Sequence, residues 1–345
     1  MTSSPPPDFS TSEPPPSAPK GQVSAEQPKQ SSLKGNSRLG DGLFFGLSAG
    51  SGILLLAIMA AIAAFLIWRS GIAISKDQTN FFTTFGWDPD NILKPSFGIA
   101  VLAFGTVVSA GIAMVIAVPI AIGIALFISH YAPRRIAQPF AYLVDLLAAI
   151  PSIIYGLWGA LFLVPHLNGL NSWLNDYLGW TYVFKLSQSG APARSLFTVG
   201  ILLAIMVLPI ITAVSREVFR QVPRMHEEAA LALGATRWEM IRTAVLPFGR
   251  PGIISASMLG LGRALGETIA VATVLSSSSV LSLHILDAQG GTFAQNIAAK
   301  FGEAGSLGKD ALMAAGLVLF VITLLVNGAA RLIIARRKEY SGANA

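Results

Sequence analysis

Long apolar stretches alternate with short polar segments along the chain from residue 41 onward. A helix needs about 20 mostly apolar residues to cross the hydrocarbon core of a membrane, and several of these stretches are that long. The pattern therefore predicts an all-α polytopic membrane protein with six transmembrane helices. The predicted helices cover roughly 43–68, 99–128, 139–165, 195–215, 251–276 and 311–333.

Small residues and prolines shape the predicted helices. Small residues recur at every fourth position of the second helix, and because they share one face, another helix can approach that face closely. The positions are Gly105, Ser109, Ala113, Ala117, Ala121 and Ala125. Pro119, Pro151 and Pro209 lie in three successive predicted spans, where each removes a backbone hydrogen bond and predicts a kink.

The composition supports a membrane protein without a metal site. Hydrophobic residues make up 53% of the chain and charged residues only 12%, which excludes an ordinary soluble domain. The chain has no cysteine, and its 4 histidines lack a metal-ligand spacing, so neither a disulfide nor a bound metal is expected.

The distribution of charge predicts the topology. Most of the 24 Lys and Arg residues fall on the cytoplasmic side when both termini are placed in the cytoplasm. The net charge of +6 therefore reflects membrane orientation, and no nucleic-acid partner is expected. Residues 1–40 are rich in Pro and Ser and predict a disordered cytoplasmic tail. Residues 41–340 form the transmembrane domain, and 341–345 form a cytoplasmic end.

Two charged residues occur in the middle of the fifth predicted span. Arg263 and Glu267 are four residues apart, so a continuous helix would place both side chains on one face. Each charge costs roughly 2.5–3.5 kcal/mol at the centre of a spanning helix, so both must face protein or water. Either Arg263 binds an oxyanion while Glu267 neutralises it in the empty path, or the two form an ion pair that locks helices.

Two further features surround this pair. Gly262, Gly266 and Ala270 form a second ridge of small residues, which predicts tight packing beside the charges. Asp145, in the third predicted span, is a candidate partner for Arg263, and an interfacial role on the cytoplasmic side is the alternative for its carboxylate.

The polar segment at about 216–250 carries helix signals of its own. Pro223 predicts the start of a short helix, and the carboxylates of Glu227 and Glu228 suit its first turn. Gly234 predicts a left-handed helix end. A second helical run at about 236–245 is expected to end at Pro247. The small residues of the first helix, Ala229, Ala230 and Ala232, suit the groove of another protein.

The same segment resembles the coupling signature of ABC importer permeases. The resemblance rests on Glu228-Ala229-Ala230, followed by Gly234 and then Leu246-Pro247, and Ala244 departs from the isoleucine of the family pattern. It implies the type I permease fold and a coupling helix that docks on an ATPase subunit. No G-x-x-x-x-G-K-[ST] loop occurs in the chain, so ATP is used by partner subunits and no cofactor is bound here.

Three further segments, at 148–159, 260–271 and 316–327, resemble phosphate-specific permeases of the PstC type. That resemblance implies import of inorganic phosphate by alternating access through a bacterial plasma membrane. It also implies four kinds of partner: a second related permease subunit, two ATP-binding cassette subunits, an extracytoplasmic phosphate-binding protein and membrane lipid.

The outer loops are expected at 69–95, 166–194 and 277–310. Trp173, Trp180 and Tyr182 either pack against the binding protein there or form an interfacial aromatic belt.

Other functions stay open at this stage. A stand-alone anion transporter or channel would also place Arg263 and Glu267 in a membrane path. An ABC permease for another oxyanion, or a receptor or scaffold without transport activity, are further alternatives. An enzyme is not expected, because no nucleophile, base and orienting group are recognisable together.

Overall fold

The computed structural model describes residues 37–91, 94–187, 193–276 and 282–338, which are almost entirely helical. The helices are α1 (Ser37–Lys76), α2 (Ala100–Leu126), α3 (Arg134–Ala148), α4 (Ser152–Trp158), α5 (Val164–Leu178), α6 (Leu196–Arg220), α7 (Arg224–Ala232), α8 (Arg237–Met240), α9 (Leu246–Leu265), α10 (Ile269–Val274), α11 (Phe293–Lys300) and α12 (Ser306–Lys338). Two short strands, β1 (Trp87–Asp88) and β2 (Ser96–Phe97), pair antiparallel. The predicted tail at 1–40 and the end at 341–345 lie outside the described residues, except for 37–40, which belong to α1.

Three π-helical turns in the described part of the chain extend or join these helices. Phe127–Tyr131 continues α2, Gly159–Leu163 joins α4 to α5, and Ile241–Val245 joins α8 to α9. Such turns insert an extra residue into the helix and often occur at functional positions.

Six segments in the described part of the chain are long and apolar enough to cross a membrane, as predicted. They are Gly42–Lys76, Ala100–Tyr131, Ser152–Thr181, Leu196–Arg220, Arg237–Leu265 and Ser306–Leu332. The chain divides into two units, Met1–Ile58 and Met59–Ala345. In the first unit, the described part of α1 exposes its apolar side chains, including Leu43, Phe44 and Ile53, as a helix facing lipid does.

The predicted limits of the third and fifth spans were wrong. The third, expected at 139–165, is divided because Pro151 cannot continue a helix from α3, and the spanning helix begins at Ser152. The fifth, expected at 251–276, begins at Arg237 and ends at Leu265. Pro119 and Pro209 lie inside α2 and α6, which continue through them.

The second unit is built around the contact between α2 and α6. All the small residues of the predicted α2 ridge, from Gly105 to Ala125, are buried, which confirms their packing role. Gly200 of α6 lies so close to Ile112 of α2 that a β-carbon there would clash with its side chain. Helix α9 packs against the other side of α6, where Gly260 approaches Ile211 equally closely.

Helix α3 is short and amphipathic. Ala141 and Val144 pack on Ile128 at the end of α2, whereas Phe140 and Leu143 are exposed. The sequence had assigned these residues to the third span, but the break at Ala149–Pro151 makes α3 a separate element.

The end of the bundle opposite α7 is held by carboxylates. Asp90 accepts hydrogen bonds from the backbone N–H groups of Gly305 and Gly308 at 3.0 Å, which caps the start of α12. Asp310 of α12 forms an ion pair with Arg69 at 2.6 Å. These contacts fix α12 to α1 and to the loop between β1 and β2.

A second polar cluster at this end joins the segment after α5 to the segment before α11. Asp287 accepts hydrogen bonds from the backbone N–H and hydroxyl of Ser187 and from the hydroxyl of Ser282. Burial raises the pKa of Asp287, but these hydrogen bonds and one from His284 outweigh it, so the net pKa is lowered. Asp287 therefore stays ionised as the fixed centre of the cluster.

Candidate functional site

Helix α7 forms a separate element between α6 and α8. Pro223 occupies the position before its first turn, and Gly234 after its last turn has φ = +83°. The N–H of Gly234 donates to the carbonyl of Leu231, and the N–H of Ala235 donates to the carbonyl of Ala230. The predicted start and left-handed end of this helix are both confirmed.

One face of α7 and its flanking residues is exposed and apolar. Leu233 is 90% exposed, and Met225, Leu231 and Trp238 are exposed as well. Glu228 and Ala229 of the predicted coupling motif lie on this exposed part of the chain. Large apolar side chains grouped outside the spanning helices are typical of a surface that a protein partner covers. We call this set, Met225, Glu228, Ala229, Leu231, Leu233 and Trp238, the α7 surface.

The opposite face of α7 attaches it to the bundle. Ala230 packs on a buried cluster that includes Phe219 of α6 and Met240 of α8. Glu227 Oε1 lies 3.4 Å from Nε2 of His130, at the end of α2. The helix therefore presents one face outward while the other contacts the ends of spanning helices.

The second helical run does not end at Pro247, contrary to the prediction. Helix α8 begins with a capping box in which Thr236 and Glu239 satisfy each other's backbone N–H groups. The π-helical turn Ile241–Val245 then leads directly into α9. Pro247 lies in the first turn of α9, where its missing N–H is tolerated, and Leu246 packs on the cluster beneath α7.

The fifth span is interrupted between Arg263 and Glu267. Helix α9 ends at Leu265, and α10 begins at Ile269. Glu267 is 9% exposed, and its Oε1 accepts a hydrogen bond from the N–H of Ala270 at 3.2 Å. No ion pair joins Arg263 to Glu267 in the described structure, and because α9 ends at Leu265 the two residues do not lie on one continuous helix as expected. The carboxylate instead accepts from one N–H in the first turn of a new helix.

Arg263 lies beside a second interruption, between α3 and α4. Its guanidinium is half-buried and within electrostatic range of the Tyr155 hydroxyl. Tyr155 donates a hydrogen bond to the carbonyl of Leu147 at 2.9 Å, across the break at Pro151. A β-carbon on Gly156 would lie only 2.8 Å from Cα of Ala270, so α4 and α10 are in close contact. The two broken spans thus meet around Arg263.

The second predicted ridge packs differently from the expectation. Gly262 and Gly266 are exposed, and nothing lies within 4 Å of a β-carbon on Gly262, although Ala270 is buried. The close contacts of the fifth span instead involve Gly260, two residues before Gly262, on the face that meets α6. Arg263 therefore occupies an open side of α9.

Asp145 pairs with Arg216 and not with Arg263. Nη2 of Arg216 lies 3.2 Å from both carboxylate oxygens of Asp145. Arg216 is 8% exposed, near the end of α6, whereas the Asp145 side chain is half exposed. No sequence pattern indicated this pair, because 71 residues separate its members and Arg216 follows the predicted end of its span.

The aromatic residues expected in an outer loop lie on and after α5. Trp173 stacks near Tyr177, with ring centroids 5.2 Å apart, and Trp180 is exposed. Tyr182 has φ = +65°, and its ring centroid lies 4.4 Å from that of His284. The predicted outer loop from 166 is thus helical as far as Leu178.

Comparisons with known proteins agree with the coupling motif. The profile of the family described as binding-protein-dependent transport system inner membrane component matches residues 117–339. The chain is 47% identical to the phosphate transport system permease protein PstC 2 of Mycobacterium tuberculosis, over 86% of this chain and 92% of that protein. It is 40% identical to the phosphate transport system permease protein PstC of Haemophilus influenzae, over 88% of this chain and 95% of that protein.

A solved structure shares the fold. It is a bacterial ABC transporter involved in the import of the acidic polysaccharide alginate, with 19% identity and a TM-score of 0.50 over 86% of this chain and 99% of that chain. The arrangement of helices is therefore that of ABC transporter permeases, as predicted.

Proposed function

Because the chain belongs to the family of binding-protein-dependent transport system inner membrane components, we propose that it is the permease subunit of an ATP-driven phosphate importer. It is an inner-membrane protein and a transport subunit, and the hydrolysis of ATP takes place on partner subunits. The α7 surface is the observation that carries this function, because it offers a partner an exposed apolar face between two spanning helices. A stand-alone carrier or channel has no need of such a surface.

The proposed partners follow from this architecture. The ATPase subunits cover the α7 surface, where Glu228, Ala229 and Leu233 are exposed. A second permease subunit completes the path, and an extracytoplasmic phosphate-binding protein delivers the anion to the opposite end. Both termini and α7 then lie in the cytoplasm, which agrees with the distribution of Lys and Arg.

Arg263 is the proposed phosphate contact. Irregular backbone beside a membrane span is tolerated only where it is buried in protein or lines a cavity. Two irregular segments occur here, Gly266–Thr268 between α9 and α10, and Ala149–Pro151 between α3 and the start of the third span. The Arg263 guanidinium lies where those breaks meet and has no carboxylate within ion-pair distance in the described residues. Its donors are thus available to an oxyanion.

Glu267 has a positioning role in this proposal. Its carboxylate caps α10 through Ala270, so it holds the backbone around the break and does not neutralise Arg263 directly. The proposed path therefore contains a guanidinium without a fixed counter-ion, which suits an anion that enters and leaves.

The test is ATP-dependent uptake of radiolabelled phosphate into vesicles that hold this chain with its second permease subunit, ATPase subunits and binding protein. Arg263→Ala is expected to reduce uptake at least about tenfold while the complex stays assembled, because a charged hydrogen bond to the cargo is lost. Glu228→Ala is expected to reduce uptake by weakening attachment of the ATPase subunits.

Two exposed residues serve as matched controls. Arg135→Ala and Glu217→Ala remove the same charges from exposed positions outside the proposed path, the α7 surface and the outer loops, and uptake is expected to persist. Phosphate uptake without ATPase subunits would contradict the proposal and favour a carrier or channel.

A further inference from the structure

The two adjacent glutamates of α7 lie in different surroundings. Glu228 is exposed and belongs to the α7 surface. The Glu227 side chain is 25% exposed, and its Oε1 lies 3.4 Å from Nε2 of His130. One carboxylate therefore faces outward and the other faces the end of α2.

His130 is held in a defined orientation. Its side chain is only 8% exposed, and its Nδ1 lies 2.7 Å from Oγ of Ser129. Its ring meets the Phe219 ring edge to face, with centroids 6.4 Å apart. Oγ of Ser129 also donates to the carbonyl of Ala125 at 2.8 Å. With Nδ1 engaged by Ser129 and the ring packed by Phe219, Nε2 is the ring atom left for Glu227, and it donates to the carboxylate in the form of the imidazole that carries a proton on Nε2.

The remaining attachments of α7 are less directional. The short segments Gln221–Pro223 and Leu233–Thr236 connect it to the spanning helices, and Ala230 contributes an apolar contact to the cluster around Phe219. Apolar contacts depend little on orientation, whereas a hydrogen bond to a charged group is directional. The contact with His130 is thus the one that fixes the rotation of α7 about its own axis.

We infer that His130 is a positioning residue that fixes α7 to the end of α2 through Glu227, and so connects ATPase movement to the translocation helices. Helix α2 and its π-helical extension run from Ala100 to Tyr131, and their ridge of small residues packs along α6. A displacement of α7 that acts on His130 therefore reaches the core of the bundle through a tightly packed helix. The inference rests on the proposed function and assigns a new part to a residue outside the coupling motif.

Two substitutions of His130 separate the roles of its nitrogens. The amide nitrogen of His130→Gln reaches approximately where Nε2 lies, so it keeps a donor for Glu227. The shorter His130→Asn places its amide nearer the position of Nδ1 and loses that donor. In the reconstituted complex, His130→Asn and Glu227→Ala are each expected to lower the phosphate imported per ATP hydrolysed by about three- to tenfold. His130→Gln is expected to retain most of the native ratio.

The ratio of transport to hydrolysis is the decisive readout, because a merely structural role would change the amount of complex and leave the ratio intact. The double variant His130→Asn with Glu227→Ala is expected to lose no more than either single variant, since both remove one contact. His166→Ala is the matched control, because its imidazole is exposed on α5 and its contacts in the described structure are with Phe162, one turn earlier along the same chain segment. It is expected to keep the native ratio.

The outcomes distinguish this inference from the proposed function. A native complex that imports no phosphate with ATP would contradict the proposed function itself. An active native complex whose Asn and Gln variants behave alike, or whose losses add in the double variant, would overturn only the role of His130. If His130→Asn only loses the ATPase subunits and the complexes that remain keep the native ratio, the contact attaches α7 without coupling it, and the inference is overturned.

Discussion

Arg216 and Arg263 both lie in spanning helices, but their surroundings differ. Arg216 is 8% exposed and contacts both oxygens of Asp145, whereas Arg263 is half-buried at the meeting point of two helix breaks. A buried arginine with a fixed carboxylate is suited to joining helices, and one without a carboxylate is suited to a mobile anion. Of the two alternatives weighed for Arg263, the fixed ion pair is found at Arg216 instead, and the oxyanion contact remains the role proposed for Arg263.

The Asp145–Arg216 pair leads to an asymmetric prediction. Asp145→Asn leaves the buried guanidinium without its counter-charge, so a loss of about 3 kcal/mol in the free energy of unfolding is expected. Arg216→Met leaves a half-exposed carboxylate that water can solvate, so the loss is expected to be under about 1 kcal/mol. Thermal unfolding of the detergent-solubilised chain measures both. Equal losses in the free energy of unfolding for the two variants would show that the burial of Arg216 does not determine how much each substitution costs.

At the scale of the element, the side chains that α7 presents to a partner depend on how the helix ends. The helix ends because Gly234 adopts a left-handed conformation, which brings Leu233 and Trp238 to the exposed α7 surface. Residues with a β-carbon adopt that conformation only at a cost. The turn thus determines which side chains a partner meets.

Gly234→Ala is therefore expected to destabilise the end of α7 by about 1–2 kcal/mol. The measurement is the amount of ATPase subunit that copurifies with the chain, which should fall by about fivefold or more. Gly71→Ala is the control, since nothing lies within 4 Å of its β-carbon position and its backbone is helical. Unchanged copurification of Gly234→Ala would exclude the α7 turn from the docking surface.

At the scale of the whole molecule, the orientation in the membrane assigns each end of the bundle its partners. Arg134 lies at the start of α3, near the end of α2 that carries His130, and Trp180 follows α5 toward the other end. The proposed topology places Arg134 in the cytoplasm and Trp180 outside. The ATPase subunits and the binding protein then approach opposite ends.

The absence of cysteine makes this topology directly measurable. In the native cysteine-free chain, Trp180→Cys is expected to react with a membrane-impermeant maleimide in intact cells. Arg134→Cys is expected to react only in inside-out vesicles. Both positions are exposed, so access through the membrane decides the result. The opposite labelling pattern would contradict this topology and exchange the ends assigned to the ATPase subunits and the binding protein. The native chain, which has no cysteine, is the unlabelled control.

The sequence by itself determined the parts of the fold that depend on local chemistry. Apolar length predicted the six spans, since any segment in lipid must satisfy its own backbone hydrogen bonds. The small residues of α2 predicted its tight contact, and Pro223 and Gly234 predicted the limits of α7. Each of these signals acts over a few neighbouring residues, so a linear pattern contains it.

Only the tertiary structure decided which groups meet across the chain. It divided the third and fifth spans, paired Asp145 with Arg216, turned Glu267 into a helix cap, and brought His130 to Glu227, which is 97 residues away. Apolar periodicity does not record such contacts, because lipid-facing and protein-facing positions are equally apolar. They depend on where separate helices lie side by side, and that follows from packing of the whole bundle.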